Sequence, residues 1–189
     1  MGDKFKVAFT LDEEDAEYFR GLYRKVKKGA SGQDPQQIIK DARGIVLKVR
    51  GSKKTPHFVH EAIDVLADLV DLIQDEAYAA PQRVKTDVLE GLAYFSNPED
   101  LIPDQVPGLG FLDDAIMVKF IEEEFKNELW GYRRFRKLRD SSEQRPWSSP
   151  ASDRLRQRLE ADRRRVRAEI DAREAKDASR RKSGRSFGW

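Results

Sequence analysis

The 189-residue chain contains no cysteine. That absence excludes a disulfide framework, a thiolate nucleophile and a cysteine-ligated zinc site. Histidine is nearly as scarce, since His57 and His60 are the only imidazoles. No uncharged apolar run approaches the roughly 18 residues of a membrane span, and the N-terminus lacks a signal-peptide core. These absences predict a soluble, cytoplasmic protein. What the chain has in excess is charge. Charged residues make up 37%, against a usual share of about 25%. Residues 1–130 carry 17 Lys+Arg and 25 Asp+Glu, and residues 131–189 carry 19 and 9. A formal charge of +2 therefore hides an acidic body joined to a basic C-terminal region.

Residues 4–11 alternate, with Phe5, Val7, Phe9 and Leu11 on one side, which is a strand period without a partner strand in the chain. An edge of this kind predicts a weak homodimer through the segment. Thereafter the apolar period is helical. A first helix over about 12–29 has Thr10 and Glu13 spaced as a capping box. Asp34-Pro35 opens a second, and Thr55-Pro56 opens a third over roughly 56–80, with Asp64, Asp68, Asp71 and Asp75 in a stripe opposite its apolar face. Pro81 opens a fourth helix ending near Asn97-Pro98, and a fifth runs from Asp113 to about Asp140. The expected fold is all-α, a compact bundle of about five helices with a short N-terminal extended segment and a separate basic C-terminal helix. The expected organisation is a helical domain over 1–140, a linker over 141–152, and a basic helical tail with a flexible end over 153–189.

The connection before the fifth helix carries the most specific pattern. Tyr94 ends one helix, and Pro98, Asp100, Pro103, Asp104, Pro107 and Gly110 follow at short intervals before the pair Asp113-Asp114. The run Pro98-Glu-Asp100-Leu-Ile-Pro103-Asp104 with the later Pro107-x-x-Gly110 and Asp113-Asp114 resembles the core motif of the YkvA-like family, a bacterial domain of unknown function. The resemblance extends over about residues 4–140. It implies a small helical domain and supplies no activity, cofactor or catalytic residue.

The motif has a structural reading in which prolines break the helices, Asp113 caps the next helix and Asp100 or Asp104 accepts turn amides. In the rival reading, Asp100, Asp104, Asp113 and Asp114 gather around a hard divalent cation, and the protein is a metal-dependent enzyme. No nucleophile, base and orienting partner can be assembled from the chain, so no cofactor is expected, a divalent cation being the exception. His57 and His60 read as solvated side chains rather than a zinc pair. Gly108-x-Gly110 lacks the strand and third glycine of a dinucleotide site.

The basic tail gives the clearest partner signal. Arg154, Arg156, Arg158, Arg163, Arg164, Arg165 and Arg167 crowd into 14 residues. Clustered arginines suit a polyanion, with four to six phosphates neutralised. Interspersed acids, Glu160, Asp162, Glu169, Asp171 and Glu174, favour a self-compensating helix instead. The function expected is that of a non-enzymatic interaction or scaffold protein whose tail contacts an acidic partner. An acidic protein, nucleic acid or the ribosome, and an anionic membrane surface all fit that chemistry.

Overall fold

A computed structural model describes residues 10–52, 55–97, 101–102, 106, 109–144 and 153–182. The Phe5–Phe9 part of the expected strand lies outside them. The described residues are helical, with no strand: α1 (Glu13–Gly29), α2 (Pro35–Gly51), α3 (His57–Gln74), α4 (Gln82–Leu92), a short 3-10 turn (Ala93–Ser96), α5 (Leu112–Glu124), α6 (Lys126–Glu143) and α7 (Asp153–Lys182).

Local signals start the first two helices. The capping box on α1 is displaced two residues from its expected place. Asp15 N donates to Asp12 Oδ1 at 2.9 Å and Asp12 N to Asp15 Oδ2 at 3.3 Å. A carboxylate at the N-cap satisfies an amide that the first turn leaves unpaired and meets the positive end of the helix dipole. Asp34 caps α2 through Gln36 N at 3.0 Å, with Pro35 at the first helical position.

The core is built around α3, whose Ile63, Leu66, Leu69 and Leu72 are fully buried. Helices α2, α4, α5 and α6 all pack against it. The helix ends at Gln74, short of the expected Ala80, because the Asp75 carboxylate takes the amides of Ala77 and Tyr78 at 2.9 and 3.0 Å. That turn drives Tyr78 into the interior and leaves Ala79 in the left-handed region at φ 48°.

The single fifth helix expected over 113–140 is instead two, broken at Phe125 (φ −102°, ψ 16°). Neither glycine nor proline marks the break. Phe125 is buried there, and the change of direction lets α5 fill the core while α6 runs along α3 and out to α7.

The aspartate stripe opposite the apolar face of α3 meets arginines along its length. Arg50 meets Asp64 at 2.8 Å, Arg43 meets Asp71 at 3.4 Å, Arg133 and Arg136 hold Asp68 at 2.7 and 2.6 Å, and Arg139 holds Asp75 at 2.6 Å. Asp68 and Asp75 of the stripe thus answer the basic half of α6, while Asp64 and Asp71 answer arginines of α2.

The basic helix does not stand apart. Leu155, Val166 and Ile170 of α7 are buried, and Leu159 is partly so. Val166 and Ile170 lie over Gly131 of α6, where an added Cβ would sit 2.3 Å from Ile170 Cδ1. The missing side chain at Gly131 makes the space into which Ile170 fits. Burying side chains of this size contributes about 1.5–3 kcal/mol each, enough to hold a helix that is otherwise polar.

Candidate functional site

Two places collect the residues singled out in the sequence. The first is the corner between the 3-10 turn and α5. Tyr94 is buried, with its ring edge-on to Phe95 at 5.3 Å. Gly110 N donates to Val106 O at 2.8 Å, closing a turn. Phe111 then precedes α5 at φ 67°, a left-handed conformation that most side chains avoid. Asp113 is not the N-cap expected of it. It sits inside the first turn of α5, and its Oδ2 reaches back to accept the amides of Leu101 at 2.9 Å and Ile102 at 3.2 Å. The corner is held by one carboxylate acting across 11–12 residues rather than by a local cap.

Asp113 and Asp114 are both buried, at 2% and 6% exposure. Among the described residues, Asp113 Oδ1 and Ser96 Oγ are buried without a hydrogen-bond partner. Pro98, Asp100, Pro103, Asp104 and Pro107 lie outside the described residues, and of the four proposed metal ligands only Asp113 and Asp114 are described. Among the described residues no three His, Asp or Glu side chains are grouped to hold a metal ion.

Asp113→Ala is expected to destabilise the protein by about 1–3 kcal/mol, because two amides lose their acceptor. The loss should be the same with magnesium, calcium or chelator, as read by thermal unfolding. A cation-dependent rise in melting temperature for the wild type, absent in the variant, would revive the metal reading.

The second place is α7 and what it lies against. Helix α7 runs antiparallel to α6, with Asp177 bonded to Asn127 at 3.1 Å and Glu169 paired with Arg134 at 2.6 Å. Trp130 of α6 is half-buried, with the guanidiniums of Arg173 and Arg134 at 4.4 and 5.6 Å from its ring centroid. Tyr132 and Phe135 are buried core residues.

The centre of the contact is polar. Glu128 is buried and paired with Arg167, and Tyr78 Oη donates to Glu128 Oε2 at 3.0 Å. Burial, and then the charge of Glu128, raises the Tyr78 phenol well above its ordinary value, so it stays a donor. Burial works against the Arg167 charge, but the hydrogen bond and charge of Glu128 outweigh it, and the guanidinium is held more firmly protonated. On α6, burial and then the Asp75 carboxylate push Tyr132 up to about 12.

The seven candidate polyanion-binding arginines therefore separate. Arg156 pairs with Asp153, Arg164 with Glu160, Arg165 with Asp162 at 3.2 Å and Arg167 with Glu128. Arg154, Arg158 and Arg163 have no carboxylate partner among the described residues. His57 lies 3.5 Å from Glu61 on an exposed part of α3. No helix among the described residues is long and apolar enough to cross a membrane.

Fold and corner together define a helical bundle whose fourth and fifth helices are joined by a carboxylate-bound turn. Residues 88–120, running from α4 through that corner into α5, match a family described as a protein of unknown function, DUF1232. The chain is similar to that family over the segment that holds the proline- and aspartate-rich motif. No curated protein and no solved structure matches the chain.

Proposed function

We propose that this is a non-enzymatic interaction or scaffold protein of YkvA-like type, acting in the cytoplasm, in which α7 presents a basic face to an acidic protein partner. The observation that carries the reading is the division of labour among the arginines. An apolar seam and the Glu128–Arg167 pair fix one side of α7, while Arg154 and Arg158 stand exposed on the other with no carboxylate partner among the described residues. A 30-residue helix spans about 45 Å, and its docking means that it meets a partner already ordered. Pre-organisation of this kind lowers the entropy lost on binding. Self-association through residues 4–11 remains part of the proposal; in the rival, metal-dependent reading a divalent cation would draw on Asp100, Asp104, Asp113 and Asp114.

Removing α7 would uncover the apolar seam on α6, so the test uses the full chain with Arg154→Glu and Arg158→Glu together. Poly-L-glutamate, duplex DNA, single-stranded RNA and anionic vesicles serve as probes. The wild type should bind poly-L-glutamate most tightly, and the double variant should lose at least tenfold with its melting temperature unchanged. Tighter binding to RNA or DNA would favour the nucleic-acid reading. With only three unpaired arginines, the log–log salt slope on duplex DNA should be no steeper than about −3, shallower than seven available arginines would give.

A further inference from the structure

Six arginines are half-buried among the described residues: Arg20, Arg133, Arg136, Arg139, Arg163 and Arg167. Five of them meet a carboxylate: Arg20 meets Glu13 and Glu17, Arg133 and Arg136 meet Asp68, Arg139 meets Asp75 and Arg167 meets Glu128. Arg163 alone of the six has no acidic partner among the described residues. A guanidinium withdrawn from water keeps its charge and five donors, and leaving them unanswered is unfavourable. In this protein the usual answer is a carboxylate, so the exception at Arg163 calls for an anion from outside.

The surroundings of Arg163 suit one. It lines a hollow of about 400 Å³ between α7 and the turn joining α3 to α4, together with Arg164, Arg167 and Asp171 from α7 and Tyr78, Ala79 and Pro81 from the turn. Of its three guanidiniums, Arg164 is paired with Glu160 and Arg167 with Glu128, which leaves Arg163 as the one that no carboxylate holds among the described residues. Two walls are firm. Arg167 is anchored to buried Glu128 and lies 5.7 Å over the Tyr78 ring. The turn is fixed by Asp75 and by the burial of Tyr78.

We propose that this hollow binds a phosphoryl group, with Arg163 as its principal ligand and Arg164 assisting. Arginine forks donate in pairs to phosphate oxygens. Pro81 and Ala168 offer an apolar rim for the group that the phosphate esterifies. The site is separate from the Arg154/Arg158 face, because Arg163 lies roughly 140° around the helix from Arg158 at 100° per residue. Either proposal can therefore fail alone.

The test is calorimetric titration of the full chain with inorganic phosphate, phenyl phosphate and malonate at constant ionic strength. One-to-one binding of a phosphate is expected, at least tenfold tighter than malonate. Arg163→Ala and Arg163→Gln should each weaken it tenfold or more without lowering the melting temperature, and Arg158→Ala should leave it unchanged. Tighter phenyl phosphate binding identifies a phosphate ester as the ligand class, and equal affinities identify free phosphate. Absence of saturable binding, malonate as tight as phosphate, or undiminished binding in both Arg163 variants overturns the proposal.

Discussion

An Arg167→Ala variant is expected to lose about 3–5 kcal/mol of stability, the range seen when one partner of a buried ion pair is removed. The reason lies in what remains. Glu128 has 7% of its side chain exposed and would be left with only the Tyr78 hydroxyl to answer it. The loss should appear in denaturant unfolding, together with faster amide exchange along α7. Replacing both partners, Glu128→Leu with Arg167→Met, should recover much of the loss, because no charge is then left buried. If the single variant loses less than 1 kcal/mol, water reaches Glu128 freely and the contact is not the lock inferred here.

The second large effect is expected at Ile170. Its side chain is fully buried over Gly131, and Ile170→Ala should lose about 2–5 kcal/mol through lost transfer energy and an unfilled cavity. The reciprocal change separates packing from helix propensity. In Gly131→Ala the gain of about 1 kcal/mol from removing a helical glycine opposes overpacking against Ile170 of about 1–3 kcal/mol. Combining the two substitutions should give a more stable protein than the two losses added together, since the alanine at 131 fills the space vacated at 170. Strict additivity in that double-mutant cycle would contradict the contact.

Much of the bundle was legible because its signals are local. The Asp34-Pro35 start of α2 and the apolar arc of α3 depend on neighbours within a few residues, and both appear where the sequence puts them. The break at Phe125 was not legible, since it rests on packing against the core and carries no glycine or proline. The partners of the aspartate stripe were not legible for a different reason. Amphipathic pattern alone shows that Asp68 and Asp75 leave the apolar face, but their arginine partners lie 64–68 residues away.

The same limit applies to α7 and to the corner. Four large apolar residues in 30, among many charges, look like a solvated helix. The signal that could have shown otherwise is the pair Val166 and Ile170, one turn apart, combined with a lone glycine at 131 in an otherwise bulky helix. At the corner, the motif correctly marked a special backbone. It could not show that Phe111 takes the left-handed position or that Asp113 reaches across to Leu101 and Ile102.

The account rests on α7 being an ordered part of the body. Native-state hydrogen exchange on the full chain tests this most directly. Amides from about Val166 to Ile170 should be protected to within about 1–2 kcal/mol of those in α3, with protection falling toward Lys182. Exchange of the whole of α7 at the rate of an isolated helix, while α3 stays protected, would contradict it.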